Sequence, residues 1–214
     1  ANTVLMKGIK KFASGNSGVL AVTNQNELFW ISNSSDRITK IAEDVFSAAV
    51  GDGANYYINN SGALFVRGKA HRGQYGDGRL ISTDQFVQTA KNVRQISAHT
   101  GHALLLKKNG HVFGTGGNIF GPVGKHGLGD KAVRWSIIVS DIRAIATGAS
   151  HSLAIRQDNS LLVWGREYGV EPVIIMNNVA AVAAGTQNTV ALKIDGSLWQ
   201  WGRGQKPRQL LSNK

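Results

Sequence analysis

The chain has 214 residues, of which 42% are hydrophobic and 17% are charged, values typical of a folded globular protein and unlike those of disordered chains. It contains no cysteine, which excludes disulfides, a cysteine nucleophile and zinc–thiolate sites, and no apolar run reaches the roughly 18 residues that a membrane helix needs. The formal net charge of +11 favours attraction to an acidic protein, to nucleic acid or to anionic lipid, or simply keeps the chain in solution.

A pattern of 18 residues occurs five times along the chain and predicts a repeated β-hairpin. Each copy holds two apolar stretches around a turn such as Asp158-Asn159 or Asp195-Gly196, residue types that adopt the dihedrals of tight hairpins. In chain order the copies are GNSGVLAVTNQNELFWIS from Gly15, GDGANYYINNSGALFVRG from Gly51, HTGHALLLKKNGHVFGTG from His99, GASHSLAIRQDNSLLVWG from Gly148 and GTQNTVALKIDGSLWQWG from Gly185. Their starts are 36, 48, 49 and 37 residues apart, a period typical of propeller blades and solenoid units.

Two further apolar stretches precede each hairpin, so that each repeat predicts four strands. They are clearest in SIIVSDIRAIATG before Gly148 and VIIMNNVAAVAAG before Gly185, where the second stretch has the small side chains of a crowded inner strand. With the strands named A to D from inside to outside, we predict an all-β fold, a β-propeller of four-stranded antiparallel blades, with five blades forming one domain over residues 1–214. Both ends of the chain carry the D-strand pattern, as TVLMKG and KPRQLLSN. We therefore expect a five-bladed ring with a redundant strand; an incomplete propeller whose edges pair with another chain, or a piece of a longer protein, are the alternatives.

Differences in repeat length fall after the glycine that closes each C strand, at Gly68, Gly116, Gly165 and Gly202. A C–D loop of variable length at this point keeps the strands in register. In a propeller the A–B and C–D loops share one face, and the B–C turns lie on the other. The first of these faces is the candidate binding surface.

These residues resemble the regulator of chromosome condensation repeat family, whose blades carry AAG, HSLAL, DG, a strand ending in WG, and a loop similar to GQLG. The pattern is clearest in IATGASHSLAIRQDNSLLVWG and VAAVAAGTQNTVALKIDGSLWQWG, and the loop is found as Gly73-Gln74-Tyr75-Gly76. The best-known members have seven blades, whereas five repeats are present here. The resemblance implies binding to a protein, with guanine-nucleotide exchange on a Ran-type GTPase, chromatin binding and, in a secreted bacterial relative, β-lactamase inhibition as known roles. Because the sequence begins at Ala1, it is either a processed mature chain or a piece cut from a longer one. We expect a cleaved signal peptide, and a secreted or periplasmic location is favoured over a cytoplasmic one.

No group of residues has the spacing of a catalytic site, and we expect no enzyme activity and no cofactor. The segments GNSG and GASH lack the G-x-S-x-G pattern of a nucleophile elbow, and GPVGKH lacks the upstream glycine and the Ser or Thr of a phosphate loop. His102 and His151 share one repeat position, but a metal site would need a third ligand where the other copies hold Gly18, Ala54 and Asn188. We expect each imidazole to bond to the backbone of a neighbouring blade instead, and we expect no metal.

Aromatic and basic residues in the C–D loops predict the partner-binding surface. Trp164 and Trp201 occupy one strand position and are expected to pack between blades, whereas Trp135 follows the longest insertion and either contacts a partner or pins that loop to its own blade. We expect a protein partner with an acidic surface, with a small GTPase as an alternative and nucleic acid as a third class. The predicted partner-binding residues are Lys69, Arg72, Tyr75, Phe120, Lys125, Lys131, Trp135, Arg166, Tyr168 and Arg203.

Overall fold

The computed structural model describes residues 6–35, 37–125, 129–202 and 204–211. Within these ranges every regular element is a β-strand, and twenty strands form five four-stranded sheets, the blades of the fold. The strands are β1 Ile9–Gly15, β2 Gly18–Thr23, β3 Leu28–Ser32 and β4 Ile38–Ala42 in blade one; β5 Val45–Val50, β6 Ala54–Asn59, β7 Leu64–Gly68 and β8 Thr83–Ala90 in blade two; β9 Val93–Ala98, β10 His102–Lys107, β11 Val112–Gly117 and β12 Lys131–Val139 in blade three; β13 Ile142–Thr147, β14 His151–Arg156, β15 Leu161–Gly165 and β16 Gly169–Met176 in blade four; β17 Val179–Ala184, β18 Asn188–Lys193, β19 Leu198–Gly202 and β20 Arg208–Leu211 in blade five. None of the described residues belongs to a helix with the length and hydropathy that a bilayer crossing demands.

The strands of each blade follow chain order and pair antiparallel, from the A strand to the D strand. The A strands of consecutive blades contact one another, β1 with β5, β5 with β9, β9 with β13 and β13 with β17, which places them innermost. The predicted propeller of five four-stranded antiparallel blades is therefore confirmed.

The B–C hairpins close with the residue types that the sequence supplies at their tips. Asn159 and Gly196 adopt positive φ angles of 68° and 82°, which asparagine and glycine tolerate better than other residues. Asp158 Oδ1 accepts hydrogen bonds from the backbone N–H and the hydroxyl of Ser160, at 2.8 and 2.7 Å. These short-range bonds fix the hairpin register before any contact between blades is needed.

The apolar core lies between blades rather than within one sheet. Leu104 and Leu106 of blade three face Ile145 and Trp164 of blade four in one buried cluster, and equivalent clusters fill the boundaries between blades one and two, two and three, and four and five. Each inner blade thus has one face for the blade before it and another for the blade after it.

The first and last blades each keep one face without a neighbouring blade. Phe12 in β1 is 75% exposed, whereas Ile145, at the same ladder position in β13, is 4% exposed. At the opposite end Leu192 in β18 is 39% exposed, whereas Ile155, at the same ladder position in β14, is completely buried. In the described part of the chain no apolar cluster joins blade five to blade one. The packing therefore favours an arc of five blades over the closed ring that we expected.

Only the C-terminal copy of the duplicated D-strand pattern forms a strand in the described ranges. Strand β20 pairs with β19 as the outer strand of blade five, with Gln200 opposite Arg208. Of the N-terminal copy, Met6, Lys7 and Gly8 lie outside strands and residues 3–5 lie outside the described ranges. Blade one is completed without it, because β4 supplies its outer strand.

Candidate protein-interaction face

The C–D loops of blades two and three contain the same turn, G-x-x-G. Gly73 begins it in blade two and Gly121 begins it in blade three, each five residues after the glycine that closes the C strand. In both turns the last glycine N–H donates to the carbonyl of the first at 3.0 Å, and all four glycines have positive φ. The segment GPVG, which lacks the residues of a phosphate loop, is thus the blade-three copy of GQYG.

Each G-x-x-G turn is fastened to the following blade by buried hydrogen bonds. Thr115 Oγ1 donates to the Gly73 carbonyl at 2.7 Å. The Pro122 carbonyl accepts from Trp164 Nε1 at 2.8 Å and from Ser152 Oγ at 2.7 Å. Because unpaired polar groups are costly to bury, these bonds hold both turns in one conformation. The prediction that Trp164 packs between blades agrees with its complete burial.

Tyr75, predicted as a partner contact, is completely buried inside the blade-two turn. Its hydroxyl donates to the Gly68 carbonyl at 2.7 Å and accepts from the Thr83 N–H at 3.1 Å. Burial raises the pKa of the phenol, which keeps it a hydrogen-bond donor. The ring has no surface to offer a partner, so the predicted contact is corrected to a structural role.

Trp135 and Tyr168 are half-buried and also hold neighbouring blades together. Trp135 lies in β12 against the blade-two turn, so close to Gly76 that a Cβ there would be 2.5 Å from its indole nitrogen. The tryptophan therefore pins the loop of the preceding blade, and not its own loop as one alternative had it. The Tyr168 hydroxyl accepts a hydrogen bond from Trp201 Nε1 at 3.1 Å across the boundary between blades four and five.

The two residues before each G-x-x-G turn are the exposed ones. In blade three these are Ile119, 68% exposed, and Phe120, 45% exposed; in blade two they are His71 and Arg72, both exposed. The guanidinium of Arg166 lies 4.3 Å from the centre of the Phe120 ring, a cation–π contact that orients both side chains. Ile119 was not predicted, because a single apolar residue in a loop has no periodicity that could mark it as exposed.

The Ile119–Phe120 pair forms the shared wall of two cavities on this face. The first, of about 340 Å³, lies where the loops of blades two, three and four meet. The second, of about 550 Å³, lies between Phe120, Arg166 and Val170. Residues lining the first cavity are His71, Arg72, Thr100, Gly101, His102, Gly117, Ile119, Phe120, Pro122, Asp130, Lys131, Ala149 and Ser150.

The predicted cations of this face differ in whether they are paired. Lys125 forms an ion pair with Glu171. Lys69, Arg72 and Lys131 are exposed, and none of them has an ion-pair partner in the described ranges. Arg203, the remaining predicted cation, lies outside the described residues.

The two predicted histidines bond to hydroxyl side chains of the next blade, not to its backbone as expected. His102 Nε2 lies 3.1 Å from Ser152 Oγ, and His151 Nε2 lies 2.9 Å from Thr189 Oγ1. Burial lowers the pKa of His102 to about 3 and also lowers the pKa of His151, so both rings are neutral at pH 7. In the part of the chain that the structure describes, no group of three or more His, Asp or Glu side chains could hold a metal ion.

Blade four matches the family model for the regulator of chromosome condensation (RCC1) repeat, over residues 142–168. This match confirms the resemblance to the RCC1 repeat family. This matched segment runs from β13 through the C–D loop at Tyr168.

Relatives of this RCC1-repeat chain cover most of it but are themselves longer. The ultraviolet-B receptor UVR8 of Arabidopsis thaliana is 26% identical over 74% of this chain and 41% of its own length. Human WBSCR16 has a similar structure, with a TM-score of 0.86 and 17% identity over 95% of this chain and 67% of that chain. Yeast RCC1 (Prp20), solved in complex with Kap60, has a TM-score of 0.79 and 19% identity over 92% of this chain and 56% of that chain. The RCC1-repeat chain thus spans less than half the length of its curated relative UVR8.

Proposed function

We propose that this RCC1-repeat chain is a non-enzymatic module that binds a protein partner through the face made by its A–B and C–D loops. The observation that carries the proposal is the exposed pair Ile119 and Phe120 standing between two cavities, with unpaired Arg72 and Lys131 beside the first. Exposed aromatic and arginine side chains beside pockets are the residues that dominate protein–protein affinity.

Rigidity of the loops supports this proposal. The exposed residues directly precede turns that Thr115, Ser152 and Trp164 fasten to the next blade. A partner therefore meets side chains on a backbone that is already ordered, and less conformational entropy is lost on binding.

Charge indicates the chemistry of the partner. This face carries Lys69, Arg72 and Lys131, which have no ion-pair partner among the described residues. They match an acidic surface, in keeping with the net charge of +11. At physiological salt, screening over about 8 Å restricts their effect to carboxylates that approach closely. We therefore place an acidic protein ahead of a diffuse polyanion.

A pull-down with matched variants tests the proposed face. Ile119→Ser removes an apolar side chain that is 68% exposed on this face, and Ile194→Ser removes one that is 59% exposed at a B–C turn on the opposite face. We expect Ile119→Ser to lose the proteins that the wild type captures and Ile194→Ser to retain them. Equal capture by both variants would contradict the proposal.

Nucleotide exchange on a small GTPase is the second candidate function. It is favoured by the structural similarity to yeast RCC1 and by 27% identity, over 54% of this chain, to the secretion-regulating guanine nucleotide exchange factor of Bos taurus. Release of fluorescently labelled GDP from purified Ran-type GTPases measures it directly. An absence of acceleration at micromolar protein removes this candidate and leaves the binding proposal intact.

A further inference from the structure

The 340 Å³ cavity exists because blade three lacks a side chain that its neighbours have. The residue after the glycine that closes the C strand is Lys69 in blade two and Arg166 in blade four, but it is Gly117 in blade three. In all three blades the N–H of this residue donates to the carbonyl at the same place in the A–B loop, which shows that the three positions are equivalent. The stem of Lys69 lies against Gly53 of its own blade. Gly117 has no side chain that could cover Gly101 in this way, and Arg72 of blade two approaches there instead, with Nη1 2.9 Å from the position of a Cβ on Gly101.

Gly117 is surrounded by open space, and its backbone conformation is one that any residue can adopt. A Cβ built there would meet nothing closer than 3.6 Å, and its φ lies outside the left-handed region that favours glycine. The position could therefore carry a side chain, as blades two and four do. The absence of a side chain at this position leaves a cavity that is lined by Gly101, Gly117, Ala149, Ile119 and Phe120.

Arg72 and Lys131, two of the three cations on this face that have no ion-pair partner in the described ranges, border this gap. Lys131 is the ladder partner of Gly117 in β12, and Arg72 Cδ lies 3.6 Å from the position of the missing Cβ. Asp130 also lines the rim, so that the rim carries two cations and one carboxylate. A cavity with an apolar wall and a net positive rim fits an apolar side chain with a carboxylate next to it in sequence.

We infer that this cavity is the anchor site for the partner, an inference that rests on the proposed function. It takes one bulky apolar side chain of an acidic peptide segment, and Arg72 and Lys131 bind the adjoining carboxylates. A volume of about 340 Å³ lies within the range for ligand cavities, so that a bulky apolar side chain has room to enter it.

Synthetic peptides test the inference without knowledge of the natural partner. The probe is the heptapeptide Ser-Gly-Asp-Phe-Asp-Gly-Ser, titrated into the labelled full chain by NMR. Two control peptides replace the central Phe by Ala or both Asp residues by Lys. We expect each control to bind at least 10-fold more weakly than the probe, and comparable affinity of either control would overturn the inference.

Variants of the chain locate the site of binding. Gly117→Leu fills the cavity and should weaken probe binding at least 10-fold. The matched control Gly185→Leu adds the same side chain to an exposed A–B loop glycine of blade five, where a Cβ meets nothing closer than 3.9 Å, and should leave binding unchanged. Replacing Arg72 and Lys131 together by Glu should reverse the preference between the Asp and Lys peptides. Probe binding that Gly117→Leu leaves intact would overturn the inference.

The same variants separate this inference from the proposed function. If Ile119→Ser abolishes partner capture while Gly117→Leu leaves it intact, the face binds a partner but the cavity is not its anchor. If neither substitution changes capture, the proposed function itself fails. Native-like unfolding curves for all variants exclude misfolding as the cause of any loss.

Discussion

Phe12 and Ile145 occupy the same ladder position in blades one and four, yet their alanine substitutions should have very different costs. Ile145 is 4% exposed between blades three and four, and truncation of such a residue costs about 2–5 kcal/mol. Phe12 is 75% exposed. Truncation of a fully buried Phe costs about 3–5 kcal/mol. Because only about a quarter of Phe12 is buried, Phe12→Ala should lower the free energy of unfolding by about 1 kcal/mol.

Urea unfolding at pH 7.5 measures both free energies on the same protein background. Ile145→Val serves as the control, since the loss of one buried methyl group should cost about 0.5–1.5 kcal/mol without a change in fold. If Phe12→Ala costs about 3 kcal/mol or more, its face is covered in solution. The reasoning that the five blades form an open arc would then be wrong.

Three further measurements check the polar and charged groups. Because burial lowers the pKa of His102 from an ordinary 6.5 to about 3 in the folded chain, its contribution to stability is complete above pH 6.5 and is lost as the pH falls towards 3. At pH 5 the folded chain should have lost about 2 kcal/mol of its free energy of unfolding through this group. In urea unfolding, the loss between pH 7.5 and pH 5 should therefore be about 2 kcal/mol smaller for His102→Gln than for the wild type. Trp164→Ala should cost about 3–5 kcal/mol in urea unfolding and Trp164→Phe about 1–3, because Phe keeps most of the ring but loses the N–H that binds the Pro122 carbonyl. If Lys69, Arg72 and Lys131 contacted duplex DNA, log affinity would fall with log salt with a slope of about −2.7, and a flat profile in a filter-binding assay would argue against nucleic acid as the partner.

The blades could be predicted because their determinants are local. Hairpin turns at Asn159 and Gly196 depend on residues adjacent in sequence, and alternation of apolar residues marks both faces of a strand that is buried between two neighbours. The position of Trp164 followed from the same repeat. The sequence could not predict whether the outer faces of blades one and five are covered, since the repeat pattern is the same whether or not another blade follows.

The candidate site was predicted less well, because exposure of a loop residue depends on how the loop folds. Tyr75 belongs to a loop rich in polar residues and glycine, which usually indicates exposure, but the G-x-x-G turn buries it in the cluster between blades two and three. The common spacing of Gly73 and Gly121 from their closing glycines would have identified a repeated, and hence structural, turn. The hydroxyl partners of His102 and His151 depend on the register between neighbouring blades, which has no signature in a single sequence.

One loop design explains both the rigid and the variable parts of the face. The G-x-x-G turn is buried and fastened to the next blade, so its sequence is constrained by packing. The two residues before it point outwards, and they are His71 and Arg72 in blade two but Ile119 and Phe120 in blade three. Because the turn fixes the backbone, these positions can change in polarity without loss of the fold. In the proposed binding mode, specificity for a partner therefore depends on the residues just before each turn and on Gly117, where the absence of a side chain opens the cavity between them.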